Sequence, residues 1–398
     1  MNRAFLTRTT DRLIDRFAAG DDQQGRAALQ EIFSAIANTE DGALVLDAVV
    51  ARVADAPPHA GAWLALLGGA IIENERHDPS TLATALAAPL KHALTRAEPF
   101  LCRLEDAAQE RGDDDDVVDD DSDDDSDDDR DDVTGLVPRA TMAALAGVDP
   151  DGHAALSSLN TWYRPVVATW SRHVASISDA QRDVGLVELL RRFDGTVMGA
   201  TWMTTLVSAL IDAPLVLLFP ELGGEAWSLR ATGVVDNGQL SVLLDEAVRD
   251  PLARMGFDPA DDDVLAVMKG DGPQEGDGEF ACGFHLYPWQ AMDPATGRAR
   301  TGVFAWRAPG GIGTHSLPAD FRPGDLTPLN DGVRVVLVTG KEGPSPFAGG
   351  ARILPATRSF SSLRAHLSDV RRLTGDEAAG WRREIGHQVA AAEKGSAD

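Results

Sequence analysis

Cysteine and histidine three residues apart, in Cys282-Gly-Phe-His285, raise the possibility of a zinc site, with His315 as a third ligand. The spacing opposes it. On a strand, Phe280, Cys282, Phe284 and Leu286 share one face while His285 and Tyr287 take the other, so the pair cannot chelate one ion without a bulge. Structural zinc also wants four ligands, often in Cys-x-x-Cys pairs, and the chain has only two cysteines, Cys102 and Cys282. Gly310-Gly-Ile-Gly313 with Thr314-His315 resembles a phosphate-cradling loop, yet it lacks the lysine of a P-loop and no strong helical pattern follows. A turn between strands is the expectation there. Neither a metal nor a cofactor is expected.

The remaining groups suited to acid/base work are His285, His315, Asp236, Asp320 and Tyr287, at strand ends or in loops, where functional groups concentrate. Asp236 beside Asn237 also reads as a helix cap, and lone histidines are commonly surface groups. The sequence contains no G-x-S-x-G, H-E-x-x-H or Rossmann glycine pattern in the right context, so no motif marks a family of known activity. Tyr287, Trp289, Phe304 and Trp306 could line a groove, but aromatics on strands more often fill a core.

The elements that position these residues change character along the chain. Residues 1–110 read as a helical bundle. Leu29, Ile32, Phe33 and Ile36 form one stripe, Leu46, Val49, Val50 and Val53 a second, and a third helix around Trp63, Leu67 and Ile71 follows Pro57-Pro58. Pro89 is expected to kink or end the next helix, and a last one carries Leu94, Leu101 and Leu104. Residues 141–211 are helical again. A long run from Leu156 to Ile177 contains Pro165, Ser178-Asp-Ala-Gln181 reads as a capping box, and an apolar helix spans roughly 196–211.

Beyond Pro214 the period shortens. Leu215–Phe219 and Val333–Val338 are buried-strand runs, and Ala226–Val234 alternates as a half-buried strand. Asn237 can cap a helix bearing Leu240, Leu243 and Leu244. Phe280–Tyr287 and Val303–Trp306 look like strands joined across Asp293–Arg300. Thr374-Gly-Asp-Glu377 opens a final helix. Helices first and strands after give an α+β class with a mixed or antiparallel sheet in residues 212–398.

Between the helical stretches lies an extreme charge block. The chain's net charge is −27, and Asp113–Asp132, with fifteen aspartates and one arginine, contributes −14 of it. Self-repulsion and chain entropy oppose collapse of such a segment. Residues 111–140 are therefore expected to be an acidic disordered linker between a bundle at 1–110 and an α+β domain at 141–398. Net acidity argues against nucleic-acid binding, which needs Lys/Arg against phosphate. No apolar run approaches the roughly 18 residues of a membrane span, and two cysteines make no disulfide framework, so a cytoplasmic setting is expected.

The sequence thus points to a non-enzymatic interaction or regulatory protein whose partner is another protein. The alternatives are an enzyme using His285, His315 or Asp236 as acid/base groups, and an effector released by cleavage near Arg139.

Overall fold

The computed structural model describes residues 3–19, 22–36, 39–75, 77–112, 137–270, 280–298, 306–308, 311–313, 322–347 and 363–395. Most of the expected acidic linker, including Asp113–Asp132, lies outside these residues, as do His315, Asp320 and Phe304. The class is α+β, and the chain divides into two compact units at Val207/Ser208.

The first unit holds α1 (Arg3–Ala18), α2 (Asp22–Ala35), α3 (Thr39–Val53), α4 (Pro58–Glu75), α5 (Ser80–Gly112), α6 (Arg139–Val148), α7 (Pro150–Trp170), α8 (Val174–Arg182), α9 (Val184–Phe193) and α10 (Met198–Val207). The expected grouping of 141–211 with the sheet is corrected: these helices share the interior of the first five. Trp162 and Trp170 are fully buried, and the Trp170 indole N–H donates to the Ala83 carbonyl of α5 at 2.9 Å. A side chain at Gly69 of α4 would meet the Pro165 backbone of α7 at 2.9 Å, so glycine allows the two helices to touch. Lys91–Asp183 at 2.6 Å and Arg192–Glu105 at 2.8 Å join α5 to the α9 segment. Both flanks of the acidic stretch therefore belong to one body. The strong internal pattern on either side of the tract invited a domain border there, but the apolar stripes of the two segments face each other.

Three helix expectations also change. α5 continues through Pro89 and Pro99. An interior proline costs about 3 kcal/mol, whereas each fully buried leucine or phenylalanine contributes about 1.5–3 kcal/mol. Leu82, Leu86, Leu90, Leu94, Phe100, Leu101 and Leu104 are all buried, so packing outweighs the two breaks. The run from Leu156 to Ile177 is interrupted at 171–173. Ser178 lies inside α8, and it is Asp183 that caps the next helix by accepting from Leu186 N–H at 3.1 Å.

The second unit contains β1 (Ala213–Phe219), β2 (Glu225–Thr232), α11 (Asn237–Ala247), α12 (Arg249–Arg254), α13 (Asp262–Lys269), β3 (Phe280–Pro288), β4 (Trp306–Ala308), β5 (Gly311–Gly313), β6 (Arg334–Phe347), β7 (His366–Arg372) and α14 (Gly375–Gly395). Five strands form one mixed sheet in the order β3-β6-β1-β2-β7, in which only the β1/β6 pair is parallel. β3 pairs with β6, not with a strand across Asp293–Arg300, and Gly311–Gly313 forms a short strand against β4.

Side-chain alternation divides the apolar residues between two faces. Leu215, Leu217, Phe219, Leu229, Phe284, Leu286, Val336 and Val338 pack with α11 and α12 on one side. Val216, Leu218, Tyr287, Val335 and Leu337 pack with Ala378, Ile385 and Val389 of α14 on the other. β7, at the sheet margin, carries a bulge: two of its residues oppose Leu229 of β2, and Asp369 there has φ 51°. Among the described residues no helix is long and apolar enough to cross a membrane.

Candidate functional site

α14 covers only part of its sheet face. The uncovered part presents Ser228 and Arg230 of β2 with Asp369 and Arg371 of β7, which is why β2 reads in sequence as half-buried. Between this surface and α14 lies an open cleft of about 620 Å³. Its floor is apolar, formed by Pro214 and Val216 of β1 with Val333 and Leu373. One wall is the α14 face carrying Glu377, Gly380, Trp381 and Glu384, positions that recur every three or four residues. The turn at Asn330 and Asp331 closes one side.

Each wall is held by its own polar contacts. The start of α14 is a reciprocal capping box: Thr374 N–H donates to Glu377 Oε2 at 2.8 Å, and Glu377 N–H donates to Thr374 Oγ1 at 3.3 Å. Arg371 donates to both Glu377 oxygens, at 3.2 and 3.0 Å. The Arg371 guanidinium and then the Thr374 N–H hold the Glu377 carboxyl down to about 2. Glu384 accepts from Asn330 Nδ2 and Gln388 Nε2, both at 3.0 Å, which ties the 330–332 turn to the helix. Arg230 pairs with the Asp212 carboxylate and is held more firmly charged by it and, secondarily, by Asp369. Asp331, like Asp212 and Asp369, sits in the left-handed region, φ 58°. Aspartate tolerates that conformation better than most residues. The lining carries two arginines against four carboxylates. One arginine is consumed by Glu377, and the other is turned to Asp212.

The acid/base candidates do not meet here. Asp236 is buried and caps α11, accepting from Gln239 N–H at 2.7 Å, on the α11 side of the sheet. His285 and Tyr287 lie on the α14 side, their rings 5.9 Å apart, so the sheet separates them from Asp236. Burial pushes the Tyr287 phenol up from its ordinary value. Directly across from His285 is Thr339, a buried hydroxyl without a hydrogen-bond partner among the described residues. The ladder register shifts between Cys282 and Phe284, so strict alternation fails at that point. No group of three His, Cys, Asp or Glu side chains converges to hold a metal among the described residues.

Sequence reasoning missed the cleft because its lining is drawn from five segments between residues 214 and 384. One local signal was available: the polar half of β2, Ser228 and Arg230, announced a sheet face that is not fully covered. Comparison with known protein families, with curated proteins and with solved structures finds no match to this chain.

Proposed function

We propose that the chain is a non-enzymatic interaction or regulatory protein of the cytoplasm, and that its sheet unit takes a segment of a partner protein in the cleft beside α14. The observation that carries this reading is the cleft itself. It is open, with an apolar floor, a tryptophan in its wall and a charged rim. Partner surfaces commonly combine a desolvated aromatic anchor with a polar rim, whereas small-molecule sites enclose most of the ligand. The test is affinity capture with the full chain and with Gly380→Leu, which extends a side chain from open helix surface into the cleft. A protein retained by the wild type and lost from the variant supports the reading. Identical captured sets from both, or a bound metabolite turned over by the chain, overturn it.

A second reading, an acid/base enzyme, draws on His285 beside Tyr287 with the Thr339 hydroxyl opposite. An activity abolished by His285→Gln and indifferent to Gly380→Leu favours it. Release of an effector by cleavage at the exposed Arg139 draws less support, because the helices on both sides of that residue pack in one unit. A chain cut there by trypsin is expected to co-elute as a complex of its fragments in gel filtration; separation without denaturant refutes this.

A further inference from the structure

We infer that the segment held in the cleft is basic, an extended stretch of a partner protein that places an arginine or lysine against Trp381, Asp331 and Glu384. This rests on reading the cleft as a docking site and adds the chemistry of its occupant. The two arginines of the lining are already engaged: Arg371 grips both oxygens of Glu377, and Arg230 is held by Asp212. The free balance of charge is therefore negative. Asp331 is exposed at the rim, and among the described residues Glu384 receives only neutral amide donors, from Asn330 and Gln388, so its charge is not cancelled by them. Trp381 stands on the same helical face as Glu384, three residues before it, and is only partly buried. An aromatic face beside a carboxylate suits a guanidinium, which stacks on the ring and donates in a fork to the acid. The apolar floor of Val216, Val333 and Leu373 takes an aliphatic side chain next to that cation. Openness of the cleft favours a chain that continues beyond it over a free small cation.

The experiment is calorimetry on the full chain with three otherwise identical leucine-containing octapeptides that carry two arginines, two glutamines or two glutamates. The arginine peptide is expected to bind about tenfold tighter than the glutamine peptide, and the glutamate peptide more weakly still. The double variant Asp331→Asn, Glu384→Gln keeps the shape of both side chains, and is expected to erase about tenfold of the arginine peptide's affinity. Gly380→Leu blocks the cleft without altering charge and is expected to abolish the binding. The aspartate tract is the same in every variant, so arginine-peptide binding that survives Gly380→Leu belongs elsewhere and overturns the inference. Equal binding of the arginine and glutamine peptides, both lost in Gly380→Leu, overturns the basic occupant while leaving the docking reading intact. Binding of none of the three overturns the basic occupant and counts against docking as well. Displacement by arginine amide at the same concentration points to a small cation and overturns the peptide.

Discussion

The two faces of the central sheet are built on different terms. The face under α11 and α12 is closed: its strand residues interlock with Leu240, Leu243, Leu244 and Leu252, and even the polar residues of α11 from Asn237 to Asp245 are buried. The face under α14 is closed over β6, β3, the end of β1 and Ala226 at the start of β2, and becomes polar over Ser228 and Arg230 of β2 and over β7. One strand, β2, belongs to both regimes. Ala231 and Leu229 serve the closed face, while Ser228 and Arg230 stand on the open one. On the proposed reading, stability and recognition fall on opposite sides of one sheet, so substitutions on the two sides are expected to separate folding from binding.

The sharpest test of that division pairs Phe219→Ala with Arg230→Ala. Phe219 is fully buried on the closed face, and its truncation is expected to cost about 3–5 kcal/mol in urea unfolding. Arg230 holds a partly exposed, solvent-screened ion pair with Asp212, so its truncation is expected to leave the unfolding midpoint nearly unchanged. Comparable losses for the two break the comparison. A smaller effect is expected at Glu225, at the start of β2, whose side chain is 7% exposed and ion-paired with Arg254 and Arg372. Glu225→Gln leaves two guanidinium groups facing an amide and is expected to cost about 1–2 kcal/mol.

The faces also differ in the sign of their response to acid. Burial raises the Asp245 carboxyl of α11 above its ordinary 3.8, against the opposing hydrogen bond from Ala260 N–H. Its favourable contribution is complete below that value and is lost as pH rises through the raised folded one. Glu377 is the reverse: held to about 2, it supports the fold fully above its ordinary 4.5 and stops doing so as pH falls through about 2. Stability of the wild type minus that of Asp245→Asn is therefore expected to decline as pH rises above 3.8, and the wild type minus Glu377→Gln to climb between about 2 and 4.5. Parallel pH slopes contradict the assignment. The smallest effect is expected for Gly380→Ala. A methyl there meets no atom nearer than Arg383 at 3.9 Å, so the variant gains about 0.5–1 kcal/mol of helix stability without a clash, read as a raised urea midpoint.

Much of the sheet was legible because its signals are local. The apolar run 215–219, the alternation in 226–234 and the run 333–338 fall in β1, β2 and β6, and the Thr374–Glu377 box forms as expected, while α11 is capped by Asp236 and not by Asn237, which is its first helical residue. β7 was not legible. As a marginal strand, its residues His366, Asp369, Arg371 and Arg372 are exposed and carry no hydrophobic period. Helix membership failed for a related reason: periodicity shows that a stripe is apolar but not which other stripe it meets, so the partnership of α4 and α5 with α7 could not be read across the aspartate tract. The prolines of α5 show the opposite limit, a strong local breaker overridden by burial. Of the residues named for acid/base chemistry, Asp236 acts as a cap, and His285 and Tyr287 share a face on which Thr339, unforeseen, stands opposite.

The bend at Asp369 has a bearing on assembly. A straight outermost strand offers a regular row of amides and carbonyls on which a foreign strand can register. Here that row is interrupted midway and twisted out of plane, and the two arginines that follow, Arg371 and Arg372, add cationic bulk at the same margin. Sideways growth of the sheet into another molecule is thereby disfavoured, because an incoming strand meets a ladder that changes register midway.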